Sequence, residues 1–503
     1  MIKVIKEVTT KDLEDFIYNI DIKDPNLYKE LANPNKIGLF QINGGTAEKF
    51  CNEVKPDNFE ELTAINAIAR PGPMEAAAPF YVSRKKGETS PYPQAVNDLI
   101  KDTHYTFVYQ EQIMEIFHKI GGFTLEEANE VRGLMKKLGK LDKNPEDVKK
   151  WEKVVKKFIH GATKNGIEEN MAKGIANDLA AFSGYSFNKS HATSYSYIAA
   201  ITIYLSYYFR PWFYSSVLTY EMDREKYLLD RLYSVKNQGI EILPPDINES
   251  TAHFSPAGEK KIRFGLADIK FVSDAAAEVI MNNRPYTSLP DFIVRTRNRA
   301  ITSRVINALI SIGAFDKFSI ERKKLLTTFA SFWEKKGAVK IEERLTEVYK
   351  KAAEAMNYLP GLETKEADLV GYEKEYIGFR FFSSPFTKEK IEAFKELRKK
   401  YLIYFSIPEV GTTSKKIPIC VNGIRPYTDK NGRNMAFIEI EDIRGNKASV
   451  PVFASFWTYI KDDVVENGLY LMNLYMNKDG KPMFGKNEWM DKEFEIRRLV
   501  KKI

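Results

Sequence analysis

The stretch AlaPheSerGlyTyrSerPheAsnLysSerHisAlaThrSerTyr occupies residues 181–195. A polar, turn-rich segment runs here into a long apolar one, and the pattern predicts a helix from about His191 to Tyr208. Eighteen helical residues would span about 27 Å. Ser190 is placed to cap this helix, with Asn188, Lys189 and His191 around it. A helix start offers unpaired backbone N–H groups and the positive end of the dipole, so it attracts phosphate. Asn188, Lys189, Ser190 and His191 together suit a triphosphate, although a Ser-His pair alone is also what an ordinary capped helix shows.

Upstream lies a basic band. Between Val131 and Lys173 there are twelve Lys or Arg against six acids, which is most of the formal net charge of +8 of the whole chain. Trp151 and Phe158 fall within it. Such a band suits a polyphosphate or a nucleic-acid backbone; a solvated helical face gives the same pattern.

At 503 residues the chain is too long for one ordinary core, and two to four domains are expected. Hydrophobic residues make up 44% and charged residues 29%, which excludes a disordered or fibrous chain. No apolar run reaches the roughly 20 residues needed to span a bilayer, so no membrane is expected. The charged start, MetIleLysValIleLysGlu, lacks the apolar core of an export signal, and a cytosolic location is expected. Cys51 and Cys420 are too few for a disulfide framework or a Cys-based zinc site.

The first thirty residues suggest one helix, Thr10 to Ile20, and a loop. Residues 31 to 225 look mostly helical, with turns at ArgProGlyPro (70–73) and ProTyrPro (91–93). Short helices are expected at 272–283 and 302–312, then a charged connector over 320–357. From about Tyr401 the pattern changes to alternating segments parted by AspLysAsnGly, ArgGlyAsn and AsnLysAspGly. These are strands with turn signals, and about five of them in some 90 residues suggest an OB-fold barrel. The expected fold class is therefore multidomain and mainly α, followed by a small β-barrel.

In collinear order the chain carries GlyLeuPheGln (38–41), ArgProGlyProMet (70–74), TyrGlnGluGln (109–112) and GlyPheThrLeuGluGluAla (122–128). ArgGlyLeuMetLysLys (132–137), PheAsnLysSerHis (187–191), LeuProProAspIleAsn (243–248), GlyAlaPheAsp (313–316) and GluLysGluTyrIleGly (373–378) follow. With these segments the sequence resembles the bacterial replicative DNA polymerase III alpha subunit, the C family of DNA polymerases. The resemblance implies that residues 1–30 lead in from a palm, 31–225 form nucleotide-binding fingers, and 226–335 form a tandem helix-hairpin-helix region. Residues 336–400 would be a helical connector and 401–503 an OB domain for single-stranded template. Arg132, Lys137, Asn188, Lys189, Ser190 and His191 would contact the dNTP triphosphate. Lys136, Lys140, Lys270, Arg322, Arg425, Lys430 and Arg433 would contact DNA, with Tyr427 and Phe437 able to stack on bases. Arg70 would be structural.

The family's palm uses three aspartates to hold two divalent metals, and it lies before the GlyLeuPheGln segment. Only 37 residues precede Gly38 here. Asp21 and Asp24 read as a cap or loop, and Glu439 and Glu441 as a surface strand, so no catalytic or metal-binding residue is assigned to this chain. Where the family has two adjacent arginines, this sequence has Arg132 and Gly133. Where its first hairpin reads IleLysGly-x-Gly, this sequence has IleLysPheValSer at 269–273, which puts DNA binding by that hairpin in question. The clamp-binding peptide is not evident, with MetAsnTyrLeuProGly (356–361) in its place.

Two functions are compatible with this pattern. One is part of a split replicative polymerase of bacterial or viral origin. A separate palm-bearing chain and the dNTP would then hold Mg2+, and primer-template DNA and a sliding clamp would be further partners. The other is a non-catalytic DNA-binding accessory protein derived from such an enzyme.

Overall fold

The computed structural model describes residues 13–33, 35–138, 145–221, 225–296, 298–327, 363–383, 386, 391–392, 415–443, 446–477, 481–485 and 500–502. Two compact units divide the chain: residues 1–221, 234–241 and 255–262, and residues 222–233, 242–254 and 263–503. Most of the expected 336–400 connector, including MetAsnTyrLeuProGly, lies outside the described residues.

The first unit is mainly helical. Its principal helices are α1 (Pro25–Ala32), α2 (Phe59–Ile68), α3 (Gln110–Lys119), α4 (Leu125–Leu138), α5 (Pro145–Lys164), α6 (Glu169–Ser183) and α7 (Lys189–Tyr208). A shorter helix, Leu13–Tyr18, precedes them. Helix α1 lies where a loop was expected. Asp24 caps it by accepting from the Asn26 N–H, and Pro25 opens it with a preset φ. Asp24 therefore serves as a cap and Asp21 as a turn acceptor for the Lys23 N–H.

Helix α7 is apolar nearly all round, and its middle is buried. Ala192, Ser196, Ala199 and Ala200 are small enough to let α2 and α1 approach it closely. Its buried hydroxyls find partners: Asn66 donates to Ser196 at 2.8 Å, and the Phe40 N–H donates to Thr202 at 3.1 Å. Burial pushes the Glu30 carboxyl up, while the Arg210 guanidinium 2.6 Å away opposes that shift. The GlyLeuPheGln segment wraps this packing. Gly38 has φ of 76°, and a Cβ there would meet Val217 Cγ2 at 2.5 Å.

A second core joins α3 to α6 around Phe117, Phe123, Phe158 and Leu179. Gly161 of α5 lies so close to Gly121 that a Cβ would sit 2.0 Å from the Gly121 carbonyl oxygen. Phe158 is fully buried and Trp151 packs against this core. The aromatics of the basic band thus hold α5 against this core.

In the second unit, Ser273 caps α8 (Asp274–Asn282) and Thr302 caps α9 (Ser303–Ser311), in line with the expected short helices. Helix α10 (Glu366–Tyr376) carries the GluLysGluTyrIleGly segment. Its Glu373 is buried and accepts from the N–H groups of Phe381, Phe382 and Ser383 at 2.5, 2.9 and 2.6 Å. One carboxylate thereby organises the turn after the helix.

The described end of the chain is a nearly closed antiparallel barrel of OB type. Strand β1 (Lys415–Thr428) pairs with β2 (Asn434–Asp442) and β4 (Leu469–Met476); β2 also pairs with β3 (Lys447–Val452), and β4 with β5 (Pro482–Phe484). A short strand, Val500–Lys502, pairs with β4. Helix α11 (Ala454–Ile460) follows β3 and packs Trp457 and Ile460 into the core. Ile417, Ile419, Val421, Ile438 and Ile440 alternate inward, as a period of two requires. No helix among the described residues is long and apolar enough to cross a membrane.

Glu441 is not on a surface strand. It is buried, with Arg380 at 2.5 Å and Lys447 at 3.2 Å, while the Lys447 ammonium lies 3.9 Å from the centre of the Tyr233 ring. Burial pulls the Lys447 ammonium down to about 8, against the attraction of Glu441. The folded-state pKa thus lies below the ordinary value of 10.5. Burying charged Lys447 costs stability in full below about pH 8, and the cost is relieved as pH rises toward 10.5. Urea midpoints across that window should therefore rise for the wild type relative to Lys447→Met. Parallel curves for the two proteins would contradict this assignment.

Candidate functional site

The site is built where the start of α3 meets the start of α7. Tyr109 and Phe187 form a parallel bridge, with the Gln110 N–H donating to the Phe187 carbonyl at 2.9 Å and the Phe187 N–H to the Val108 carbonyl at 3.1 Å. Gln112 turns back to accept from the N–H groups of Val108 and Tyr109, both at 2.9 Å, which fixes this corner. Gln110 donates to the Ser186 carbonyl at 3.1 Å and accepts from Arg132 Nη1 at 2.9 Å. Arg132 of α4 is thus tied through one side chain to the PheAsnLysSerHis loop.

Glu111 completes the joint. Its carboxylate accepts from the Lys189 N–H at 2.9 and 3.0 Å and from Asn188 Nδ2 at 3.0 Å. Asn188 Oδ1 in turn accepts from the His191 N–H at 2.9 Å and the Ser190 hydroxyl at 2.7 Å. The N-cap is therefore Asn188, and α7 begins at Lys189, two residues before the expected start. Asn wins because its oxygen reaches the N–H three residues on, while the Ser190 hydroxyl donates to that same oxygen. The Lys189 N–H, the first of the helix, is already taken by Glu111. A phosphate at this corner can be met by side chains.

Lys189, Ser190 and His191 are exposed and can do so. The His191 ring meets Phe187 edge to face and packs at a tilt on Tyr195, at centroid distances of 5.4 and 4.3 Å, which fixes its orientation. Lys189 Nζ lies 5.6 Å from the Tyr109 ring centre. Arg70 is spent on structure: it donates to the carbonyls of Ala67 and Tyr185 and lies 4.2 Å from the Phe187 ring centre. Gly133, next to Arg132, is exposed, and a Cβ there would meet nothing within 4 Å. Lys136 and Lys137 belong to α4, but their side chains, like the whole of Lys140, lie outside the described residues. Beside α4 and α5 opens a groove of about 550 Å³ edged by Lys150, Lys153 and Lys157, in which Lys157 pairs with Glu127 at 2.5 Å.

The residues expected to contact DNA differ in how freely they are presented. Arg322 turns inward. It binds Asp316 through Nε at 2.9 Å and Nη2 at 2.5 Å and donates to the Ser311 carbonyl at 3.0 Å, filling the space beside Gly313. Lys270 donates its backbone N–H to the Tyr376 carbonyl at 2.8 Å. On the barrel, Arg425, Tyr427 and Phe437 share the outer face of the β1–β2 hairpin. Arg425 pairs with Glu439 at 2.6 Å, Arg433 with Asp429 at 2.9 Å, and Lys430 is exposed on the turn.

Residues 1–166 match the bacterial DNA polymerase III alpha subunit finger domain, and residues 239–325 match a helix-hairpin-helix motif. The chain is related to the alpha subunits of bacterial DNA polymerase III. It is 31% identical over 489 residues to DNA polymerase III subunit alpha of Aquifex aeolicus, covering 95% of this chain and 39% of that protein. With the subunit of Halalkalibacterium halodurans it shares 30% identity over 517 residues, covering 100% and 44% of the two. For Staphylococcus epidermidis the figures are 30% over 455 residues, 88% and 41%. The chain thus spans about two fifths of the length of these curated relatives.

Mg2+ is the cofactor this family implies. Among the described residues no three His, Cys, Asp or Glu side chains converge as a metal-binding group, so these residues do not fit a Mg2+ cage. Gln110 and Glu111 are the site residues that the sequence left unassigned. Their TyrGlnGluGln segment carries part of the resemblance, but nothing local says that they brace a loop 77 residues away.

Asn188→Ala should cost about 1 kcal/mol as a lost cap. Glu111→Ala, which strands several donors, should cost about 1–3 kcal/mol. Hydrogen exchange at the first turn of α7 should accelerate in both variants ahead of the α2 core. Uniform acceleration across the unit would show that the joint is not local.

Proposed function

We propose that this chain forms the fingers, helix-hairpin-helix and OB portions of a C-family replicative DNA polymerase. It would bind incoming dNTP and primer-template DNA for template-directed synthesis together with a separate palm-bearing chain. The observation that carries this reading is the corner at which Arg132, Lys189, Ser190 and His191, drawn from two distant segments, are tied together by Gln110 and Glu111. A mere duplex grip has no need of such a convergence.

In this reading the reaction moves a deoxynucleoside monophosphate to the primer 3′ end and releases pyrophosphate. Phosphoryl transfer is catalysed mainly by positioning and charge stabilisation. Arg132, braced by Gln110, and Lys189 would neutralise the triphosphate. Ser190 and His191 would donate hydrogen bonds that fix its orientation, His191 being held in register by its two aromatic neighbours. Divalent ions would supply the remaining charge neutralisation from the palm-bearing chain and the dNTP. The outer face of the barrel, with Arg425, Tyr427 and Phe437, would follow single-stranded template. A cytosolic location and a sliding clamp as a further partner belong to the same proposal.

Primer extension with a palm-bearing partner tests it. Arg132→Ala and His191→Ala should each raise the KM for dNTP about 10- to 100-fold, as expected for lost charge-assisted hydrogen bonds. Gly133→Arg should lower KM and stabilise α4 by about 1 kcal/mol, because its Cβ enters open space and Gly is a poor helix former. If no partner restores extension and DNA affinity is indifferent to dNTP, the reading fails in favour of a non-catalytic DNA-binding protein.

A further inference from the structure

The segment Ile269 to Ser273 of the helix-hairpin-helix region carries no glycine, yet it makes a turn that suits one. Phe271 holds φ of 72°, in the left-handed region that costs a residue with a Cβ. Strain of this kind persists only where the surroundings impose it, and it concentrates at functional positions. The surroundings here are explicit. His253 bridges the two flanks of the turn, with Nδ1 2.8 Å from Asp268 and Nε2 3.0 Å from Asp274. The Lys270 N–H is tied to the Tyr376 carbonyl, and Ser273 caps α8.

What this clamped turn displays is a phenyl ring. Phe271 is 49% exposed, although the core of the same unit has room for aromatics such as Phe254, Phe264 and Phe292. The exposed Arg304 side chain, from α9, stacks over it with Cζ 5.0 Å from the ring centre, and Tyr376 meets it edge-on at 6.1 Å. A ring with a guanidinium on one face cannot wedge between two stacked bases, since that needs both faces. It can stack on one base from its exposed side, with the cation behind it attracting the adjoining phosphate. The turn after α9 offers nothing comparable: Gly313 has φ of 87°, but the space beside it is filled by Arg322.

We infer that Phe271 and Arg304 form a one-sided stacking platform for an unpaired nucleobase, so that the first hairpin binds single-stranded rather than duplex DNA. This rests on DNA being a ligand of the chain, as proposed above.

The test uses the full chain and two probes, a single strand of about 12 nucleotides carrying 5-iododeoxyuridine and a blunt duplex of the same sequence. Phe271→Gly is the informative variant, because it removes the ring while relieving the left-handed backbone and so does not threaten folding. It should weaken single-strand affinity about 5- to 100-fold and leave duplex affinity within about twofold. Phe271→Trp should restore single-strand binding, and photocrosslinks in the wild type should map to Phe271. Equal loss on both probes, no loss, or crosslinks confined to other segments would overturn the platform while leaving DNA binding intact. A wild-type chain that binds neither probe would overturn the DNA reading and this inference together.

Discussion

One carboxylate, Glu111, lies at the starts of two helices. It belongs to the first turn of α3 and accepts the first N–H of α7. Negative charge at a helix start is stabilised by the aligned peptide dipoles, and here one charge serves two of them. The consequences spread outward. With α7 fixed at its first residue, its small side chains meet α2 and α1 in register. With the loop before it held by Gln110, Arg132 of α4 is tied through that side chain to the same loop. The same economy occupies the Lys189 N–H, so this first donor of the helix is not open to an anion.

Regular patterns were legible in the sequence. The long helix ending at Tyr208, the short helices near 274 and 303, and the barrel strands follow from apolar periodicity and turn residues. Local competition was less legible. Asn188 and Ser190 are both good caps, and only their geometry shows that one accepts while the other donates. Helix α1 was missed because the Asp24-Pro25 signal opens just eight residues. The basic band was legible as an amphipathic helix: its lysines line the outer face of α5, and Trp151 and Phe158, seven residues apart, lie on the inner one.

Long-range partners were the least legible. Strand alternation put Glu439 and Glu441 on one face of β2, but it could not say that Arg380 and Lys447 bury the second and leave the first with Arg425. The GluLysGluTyrIleGly segment is a motif without visible chemistry until Glu373 is seen holding the three N–H groups that directly follow Arg380. In both places the sequence pattern marks structural necessity: a buried carboxylate must satisfy its lone pairs, and the residues that do so cannot vary alone.

The cations of the second unit then sort by what it would take to redirect them. Arg425 and Arg433 each pair with an acid while remaining mostly exposed, with 61% and 65% of their side chains open to solvent. Exposed pairs of this kind are worth little and are weakened by salt, so a phosphate oxygen can replace the carboxylate without loss of fold. Arg322 is different. Only 18% of its side chain is exposed, and its guanidinium serves Asp316, Ser311 and the space beside Gly313 at once. Moving it to a phosphate would strand a carbonyl and a carboxylate and open the turn at Gly313. The charge that holds this turn together is thus costly to redirect, whereas Arg425 and Arg433 can change partner with little consequence for the fold.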